Sequence, residues 1–299
     1  MKLNSFFHLI NFRYSIFSIL FLSASTLFAF CLPEISQHLS MQQALRTIAL
    51  GACASAFART AGIVINQSVD CFIDERNPRT SLRVLPTKSI SLRFAQALSL
   101  ISSCIFLLLC KTLGVLSLGI LATAVIIIYP YMKRKTLLCH WGLGLIYTLA
   151  ILMNFSALAG GEHLSKSFYF LALLWGGSVG MIIAANDIIY AIQDIDFDKT
   201  EGLFSIPAYY GAKRAANIAA LCLILGYFLY LSVGWVDSLG WGFYLSSIAP
   251  LIVILKVLTE YRKIGKTKRG NKKVFFLANI GIALSFLIGM MVFLITRLC

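Results

Sequence analysis

Charged residues are scarce in this sequence. Only 13% of the 299 residues are Asp, Glu, Lys or Arg, whereas soluble domains carry about 25%. Acidic residues are the rarer sign, with 12 against 26 basic residues, and 59% of the chain is hydrophobic. A water-soluble protein of this length needs a polar exterior that this composition does not supply. The composition therefore disfavours soluble enzymes, disordered chains and secreted disulfide scaffolds, and it predicts a polytopic membrane protein.

Histidines and paired cysteines are also in short supply. The four histidines are scattered without ligand spacing, and no two of the eight cysteines form a C-x-x-C pair. We interpret the cysteines as small buried hydrophobic residues rather than as metal ligands or disulfides. The sequence therefore offers no zinc site and no histidine-centred triad.

Long apolar runs are what the sequence has in abundance. Because a membrane-spanning helix needs about 20 mostly apolar residues, we predict an all-α fold. It is a polytopic membrane helix bundle of about nine transmembrane helices, forming a single domain over residues 1–299. The first run follows Lys2 and Arg13 and lacks an A-x-A cleavage site, so we expect a retained helix rather than a signal peptide. The predicted spans are 15–33, 44–65, 92–110, 113–131, 139–160, 168–190, 214–234, 239–258 and 274–296.

Basic residues are divided unevenly between the two sides that nine spans define. Twenty Lys and Arg residues fall on the side of the N-terminus and four on the other side. The positive-inside rule then predicts that the N-terminus and the active-site cavity face the cytoplasm and that the C-terminus lies outside, as in a bacterial-type inner membrane. Topology thus accounts for most of the net charge, so we expect membrane lipid rather than nucleic acid as a partner.

The first unusual cluster lies at the cytoplasmic end of the second predicted span. If that helix continues past residue 65, Asn66, Asp70 and Asp74 share one face with about 6 Å of rise between neighbours. Two stacked carboxylates repel each other unless a cation lies between them. Oxygen ligands without histidine or thiol suit a hard ion, which indicates Mg²⁺.

A second cluster lies at the end of the sixth predicted span. Asp194 and Asp198 again stand four residues apart, and Asp187 precedes Asp194 by one heptad. Solvated helix caps would explain either cluster alone. Two such clusters at the ends of apolar helices indicate function instead, because ionisable groups at membrane depth are costly. Mg²⁺ usually completes its shell with substrate phosphates, so the pair of clusters predicts a diphosphate ligand.

Basic side chains on the same side provide the opposite charge. Arg79 and Arg83 lie in a proline-stiffened loop, and Tyr129 and Lys133 stand four residues apart at the end of the fourth span, next to Arg134. Arginine and lysine are the side chains that bind diphosphate oxygens. The alternative is that these residues are only the topology signal.

Arg59 lies inside the second predicted span. It precedes Asn66 by seven residues and so shares its face. An arginine at membrane depth needs a partner. It could pair with Asp187 or bind an anionic substrate in the same cavity.

Three segments together resemble the UbiA-type intramembrane aromatic prenyltransferases. Residues 59–86 contain Arg-Thr-Ala-Gly, the Asn-x-x-x-Asp-x-x-x-Asp pattern and Asn-Pro-Arg-Thr-x-x-Arg, which resemble the first signature of that family. Residues 129–134 (Tyr-Pro-Tyr-Met-Lys-Arg) resemble its third-loop motif, and residues 187–207 resemble its second aspartate signature. The resemblance runs in order from about residue 11 to residue 215, and the family's fold has nine spans.

The resemblance implies an activity and a set of site residues. Such enzymes bind a polyprenyl diphosphate through Mg²⁺ and join the prenyl chain to an aromatic ring. The implied catalytic residues are Asp70, Asp74, Asp194 and Asp198, which together with Asn66 are also the implied metal ligands. The implied substrate-binding residues are Arg59, Asn66, Arg79, Arg83, Tyr129, Lys133, Arg134 and Asp187.

The acceptor is the least determined part of this interpretation. Arg59 lies deeper than the metal ligands and on their face, where it can contact an aromatic carboxylate. We therefore expect an aromatic carboxylic acid, foremost 4-hydroxybenzoate for a respiratory quinone. The alternatives are 1,4-dihydroxy-6-naphthoate for menaquinone, a different lipid-diphosphate enzyme, or a transporter.

Overall fold

The structure is a computed structural model in which every regular element of the described residues is helical. The described residues are 3–11, 15–36, 39–161, 165–267 and 272–298. The predicted all-α class is confirmed. The helices are α1 (Leu3–Leu9), α2 (Ser15–Phe30), α3 (Pro33–Ser36), α4 (Met41–Val69), α5 (Cys71–Arg76), α6 (Leu92–Thr112), α7 (Leu116–Met132), α8 (Cys139–Leu158), α9 (Lys166–Ala191), α10 (Ile195–Thr200), α11 (Ile206–Val236), α12 (Trp241–Ser246), α13 (Ile248–Thr267), α14 (Lys272–Phe276) and α15 (Ile282–Leu298), with a 3₁₀ turn at Ile192–Asp194 and a π-helical turn at Leu277–Gly281.

Seven helical segments are long and apolar enough to cross a membrane. Two further apolar helices, Ile16–Phe30 and Leu116–Met132, fall below that length and coincide with the first and fourth predicted spans. Every predicted span therefore corresponds to an apolar helix in the part of the chain that the structure describes. The shorter two still contribute side chains to the bundle interior, including the buried Phe21 and Phe28 of α2.

An aromatic cluster packs α2, α9, α11 and α15 together. Trp175 of α9 is 1% exposed and stacks on Phe28 of α2, with ring centroids 4.5 Å apart. Tyr230 and Phe286 pack against the same indole edge-on, at 5.3 and 6.2 Å. Lipid is as apolar as this core, so the cluster stabilises the bundle chiefly through van der Waals packing. The half of the bundle that contains this cluster is closely packed, and the cavity described below lies in the other half.

Glycines bring α8 and α9 into close contact. A Cβ on Gly176 would lie 2.9 Å from the carbonyl oxygen of Thr148, and Gly144 and Gly180 face each other equally closely. The Thr148 hydroxyl donates to the Gly176 carbonyl across the same interface, at 3.1 Å. Gly176 and Gly180 stand four residues apart on α9 and form a Gly-x-x-x-Gly packing motif. Because the two helices are antiparallel, this contact sets the start of α8 beside the end of α9.

The seven cysteines that the structure describes are all free thiols. The expectation of no disulfide is therefore confirmed for these seven. The expectation that they are buried is wrong for Cys53 and Cys104, which are exposed on the apolar helices α4 and α6. A thiol is apolar enough to face lipid, so exposure there carries little cost.

Candidate active site

An elongated cavity of about 290 Å³ lies between α2, α4, α6, α7 and α8. One end lies beside the loops of residues 77–91, 133–138 and 201–205, of which the first two carry basic side chains. We call this end of the cavity the basic end. Arg83, Asn66 and Tyr129 line the cavity at that end, whereas Thr47 and Val115 line the opposite end. Most of the wall between them is aliphatic or aromatic. The cavity therefore combines a charged mouth with an apolar interior.

Asp70 lies at the break between α4 and α5, and Asp74 lies within α5, both at the basic end. The face shared by Asn66, Asp70 and Asp74 was expected on the condition that one helix continues through them. Instead, α4 ends at Val69, because Asp70 leaves the helical conformation (φ −90°, ψ 2°) and caps it. The Asp74 N–H still donates to the Asp70 carbonyl at 2.7 Å, so the four-residue spacing survives. The two residues are only 2% and 6% exposed. Buried carboxylates need charged partners.

Both carboxylates have basic partners from the loops. Lys133 Nζ and Arg134 Nη2 contact the two oxygens of Asp70 at 2.8 and 2.9 Å. Arg83 Nη1 contacts Asp74 Oδ2 at 2.7 Å. Three of the predicted basic residues, Arg83, Lys133 and Arg134, thus form ion pairs with the two aspartates of the first cluster.

Asp194 joins the second aspartate cluster to the first loop. It ends the 3₁₀ turn that interrupts α9 and α10. The Arg79 guanidinium donates to both of its oxygens, at 2.7 and 2.6 Å, and Asn77 Nδ2 donates to Oδ1 at 3.3 Å. A third Arg79 nitrogen donates to the Tyr190 hydroxyl at 2.9 Å. The two sequence-distant clusters therefore meet through Asn77 and Arg79.

Asp198 is held by the segment that begins α11. Ser205 Oγ donates to Asp198 Oδ2 at 2.8 Å, and Ser205 Oγ also accepts a hydrogen bond from the Ala208 N–H as the cap of α11. The negative charges of Asp194 and Asp198 repel each other. Two carboxylates whose charges repel, with only Asp194 paired by arginine, form a site that favours an added cation.

An exposed ion pair links the same two loops at the surface. Arg76 contacts Glu201 through two hydrogen bonds, of 2.8 and 2.5 Å. These bonds lower the pKa of the Glu201 carboxyl below its ordinary value, so the pair stays charged at neutral pH. Because both side chains are solvated, the pair adds little stability and acts mainly by restraining the loops.

Arg59 lies inside the cavity wall, deeper than the aspartates. Its Nη1 donates to Ser18 Oγ at 3.2 Å, and the guanidinium lies 5.5 Å from the Phe17 ring centroid. The Ser18 hydroxyl also hydrogen-bonds to the Tyr147 hydroxyl at 3.0 Å. Arg59, Ser18 and Tyr147 all line the cavity. They form a small polar station in an otherwise apolar interior.

Asp187 contacts a histidine that the sequence analysis had set aside. His140 Nδ1 lies 2.6 Å from Asp187 Oδ2, and His140 is 2% exposed. Asp187 was one of the two partners suggested for Arg59, and the structure pairs it with His140. His140 lies on the same face of α8 as Leu143 and Tyr147, three and seven residues further along, and both of these line the cavity. The His140–Asp187 pair therefore adjoins the cavity.

Comparison with known proteins assigns this arrangement. The model of the UbiA prenyltransferase family matches residues 18–280. The chain belongs to the UbiA prenyltransferase family. The 4-hydroxybenzoate octaprenyltransferase of Citrobacter koseri is 30% identical over 241 residues, covering 76% of this chain and 79% of that protein. The protein of the same name from Klebsiella pneumoniae is 33% identical over 191 residues, 63% of this chain and 64% of that protein.

Solved structures of UbiA proteins share the fold. The apo structure of a UbiA homolog from Aeropyrum pernix K1 matches with a TM-score of 0.78 at 28% identity, over 96% of this chain and 98% of that one. A UbiA homolog from Archaeoglobus fulgidus, bound to GPP and Mg²⁺, matches with a TM-score of 0.61 at 19% identity, over 97% and 99%. Family membership and the apolar helices make this chain an integral membrane prenyltransferase-family protein.

The donor chemistry of the UbiA site suits a hard divalent cation. Asn66, Asp70, Asp74, Asp194 and Asp198 offer only oxygen ligands. Among the described residues, no three His, Cys, Asp or Glu side chains converge on one point, since the carboxylates are neutralised by arginine and lysine. Mg²⁺ does not need such a group, because it keeps several waters and binds through one or two carboxylates plus phosphates. The residues present therefore fit Mg²⁺.

Three residues of this UbiA chamber escaped the sequence analysis: Ser18, His140 and Tyr147. Ser18 and Tyr147 contribute single hydroxyls from separate helices, and only their contact in space relates them to Arg59. His140 did carry a signal, since it lies at the start of an apolar span. A buried ionisable group there requires a partner.

Proposed function

We propose that the protein transfers a polyprenyl chain from its diphosphate to an aromatic carboxylic acid, foremost 4-hydroxybenzoate, with Mg²⁺ as cofactor, in respiratory quinone biosynthesis. Residues 1–299 act as one catalytic domain. The observation that carries the proposal is the meeting of both aspartate clusters through Asn77 and Arg79 at the mouth of an apolar cavity. A diphosphate group needs the charged mouth, and a prenyl chain needs the apolar interior.

The names of relatives support the choice of substrates. Several relatives about 30% identical to this chain are named 4-hydroxybenzoate octaprenyltransferase. The Archaeoglobus fulgidus homolog was solved with GPP and Mg²⁺ and also with DMAPP and Mg²⁺. A prenyl diphosphate and a divalent cation are therefore the ligands that we assign to the basic end.

The transfer breaks two bonds and forms one carbon–carbon bond. The allylic C1–O bond breaks, and its electron pair leaves with the diphosphate. C1 then bonds to the ring carbon beside the hydroxyl. The C–H bond at that carbon breaks, its electron pair restores the aromatic ring, and the proton passes to the released diphosphate. Asn66, Asp70, Asp74, Asp194 and Asp198 would hold Mg²⁺, which would supply positive charge to the leaving diphosphate.

The chain's own residues bind and orient the two substrates. Arg79, Arg83 and Lys133, with Arg134 and Tyr129 beside them, are proposed to bind the diphosphate oxygens, where positive charge stabilises the departing group. Arg59 is proposed to bind the acceptor carboxylate. The aliphatic wall of the cavity excludes water, which would otherwise trap the allylic cation.

A product assay tests the function directly. Purified protein in lipid nanodiscs receives geranyl diphosphate, Mg²⁺ and either 4-hydroxybenzoate or 1,4-dihydroxy-6-naphthoate, and products are identified by mass. We expect prenylated 4-hydroxybenzoate and no product in excess EDTA. Prenylation of the naphthoate alone would identify the naphthoate as the acceptor and menaquinone synthesis as the pathway. Diphosphate release without any aromatic acceptor would indicate a different lipid-diphosphate enzyme, and the absence of any turnover would contradict the proposal.

We also propose the orientation in a bacterial-type inner membrane. Twenty basic residues lie on the side of the basic end and four on the other, so the basic end and the N-terminus face the cytoplasm and the C-terminus lies outside. Alkaline phosphatase fused after residue 299 should be active, whereas the same fusion after residue 262 should be inactive. The reverse pattern would invert the topology.

A further inference from the structure

His140 is a buried ionisable side chain near the cavity to which the proposed mechanism assigns no role. It lies in the first turn of α8 and is 2% exposed. Its Nε2 accepts a hydrogen bond from the backbone N–H of Ile206 at 3.3 Å. An N–H can only donate, so Nε2 carries no proton in this arrangement. The ring proton of the neutral imidazole is therefore on Nδ1, which faces Asp187 Oδ2 at 2.6 Å.

This pair holds Asp187 in one orientation. His140 is fixed at Nε2 by the start of α11, and its Nδ1–H occupies one oxygen of the Asp187 carboxylate. The carboxylate keeps a second oxygen, and a quarter of its side chain is exposed (26%). An aspartate carboxylate that receives a hydrogen bond at one oxygen can still accept another at the second oxygen.

Asp187 and Arg59 stand at matching offsets from the two aspartate clusters. Arg59 precedes Asn66 by seven residues on α4, and Asp187 precedes Asp194 by seven residues on α9. At the rise of a helix each is about 10 Å deeper than the ligand that follows it. Tyr147 follows His140 by seven residues on the same face of α8, and its hydroxyl shares Ser18 with Arg59. Arg59 and the His140–Asp187 pair are thus linked through one face of α8, which lines the cavity below the diphosphate level.

We propose that His140 is a positioning residue that fixes Asp187 as the hydrogen-bond acceptor for the hydroxyl group of the aromatic substrate. An acceptor that carries a carboxylate at one end and a hydroxyl at the other matches Arg59 and Asp187 respectively. This inference rests on the proposed function, because it assumes an aromatic acid in the chamber. It adds a residue outside the aspartate and arginine signatures.

The test compares two substitutions of His140. In His140→Gln the amide can donate to Asp187 and accept from Ile206, whereas His140→Leu removes both bonds at similar volume. We expect the Leu variant to raise the KM for 4-hydroxybenzoate about tenfold, as for loss of a hydrogen bond to a charged group. The KM for geranyl diphosphate should stay within about twofold, and the Gln variant should restore most of the loss.

Benzoate separates hydroxyl recognition from general damage. It has the carboxylate but no hydroxyl, so its inhibition constant against 4-hydroxybenzoate should be equal in wild type and His140→Leu. Thr148→Val is the matched control, since it removes a hydrogen bond between the same two helices away from the chamber. It should shift the melting temperature without changing the acceptor KM.

A double-mutant cycle decides whether His140 acts through Asp187. In the Asp187→Asn background, His140→Leu should add no further loss, because the carboxylate that it positions is gone. Additive losses, or a Gln variant as impaired as the Leu variant, would overturn the proposal. An unchanged acceptor KM in His140→Leu would overturn it as well.

Equilibrium binding of radiolabelled 4-hydroxybenzoate, measured without donor, gives the same contrast in an inactive preparation. A wild type that binds the acid but forms no product contradicts the proposed function and leaves the His140 comparison intact. A wild type that binds no aromatic acid overturns both. Equal binding by wild type and His140→Leu overturns the His140 inference alone.

Discussion

Asp70 is paired with two basic side chains at once, since Lys133 and Arg134 each contact one of its oxygens. Such pairing offsets the cost of burying a carboxylate. In the proposed function, the entering diphosphate brings negative charge that these same basic groups can bind. We therefore expect these ion pairs to open when substrate binds.

Removing one carboxylate should stop turnover. Asp70→Asn or Asp194→Asn is expected to lower kcat by about 10²–10³, because each removes charge from the group that binds the cation opposite the leaving diphosphate. Initial rates in nanodiscs measure the effect. Asp196→Asn is the matched control, since Asp196 is exposed at the same end and should keep its rate within about twofold. A normal rate in either of the first two variants would remove the aspartates from the mechanism.

The basic residues should act on the donor alone. Arg79→Gln, Arg83→Gln and Lys133→Met should each raise the KM for geranyl diphosphate about tenfold, as expected for loss of one charge-assisted contact. The acceptor KM should not change. Lys199→Gln, an exposed lysine at the same end, controls for net charge. A variant altered only in its acceptor KM would move that residue out of the diphosphate site.

At the scale of residues, the members of the site can be predicted from the sequence where a pattern is local. Asn66, Asp70 and Asp74 recur at helical spacing, and their charges are conspicuous in an apolar chain. The contact between Asp194 and Arg79 spans 115 residues, so spacing alone does not reveal it; the resemblance to a family put both in one site. The pairing of His140 with Asp187 depends on how closely α8 and α9 pack, which no local pattern states.

At the scale of elements, the active site is built from interruptions in helices. Asp70 separates α4 from α5, and the 3₁₀ turn at Ile192–Asp194 separates α9 from α10. Irregular backbone at membrane depth is tolerated where it borders a polar cavity. Hydropathy predicts the helices on either side of such a break but not the break itself, because an interrupted helix stays equally apolar.

A third interruption lies within α11 and has a single cause. Gly211 has φ 78° and ψ 164°, so five residues that follow the Ser205 cap form a separate turn before the main helix. This turn presents the Ile206 N–H to His140 and the Ser205 hydroxyl to Asp198. Only glycine adopts that conformation without strain.

Gly211→Ala should therefore destabilise the protein by about 1–3 kcal/mol. No heavy atom lies within 4 Å of the position of an added Cβ, so the cost comes from backbone strain rather than from a clash. Thermal unfolding in detergent measures it. Gly51→Ala is the matched control: its site on α4 is equally open and has no positive φ, so alanine there should be neutral or stabilising. Equal melting temperatures for the two variants would refute the strain argument.

At the scale of the whole molecule, the two halves of the bundle do different work. The aromatic core around Trp175 holds α2, α9, α11 and α15 rigid. The other half, lined by α4, α6 and α7, is open along the cavity. The basic end connects the two halves, since Arg79 from the loop after α5 binds Asp194 from the closely packed half. A substrate that binds to these charged residues is therefore expected to contact both halves of the bundle.

This connection predicts that cofactor and donor stabilise the protein jointly. Mg²⁺ alone must compete with arginine and lysine for the carboxylates, and the diphosphate alone meets four carboxylates of like charge. Bound together, Mg²⁺ offsets the carboxylate charge that repels the diphosphate, and the diphosphate occupies the basic groups that compete with Mg²⁺. Their combined effect on stability should therefore exceed the sum of the separate effects.

A ligand at one hundred times its Kd raises the free energy of unfolding by about 2.7 kcal/mol. Melting temperatures with Mg²⁺, geranyl diphosphate, or both measure the coupling. Asp194→Asn should abolish it, whereas Asp196→Asn should not. Simple additivity of the two shifts in the wild type would mean that the clusters bind their ligands independently.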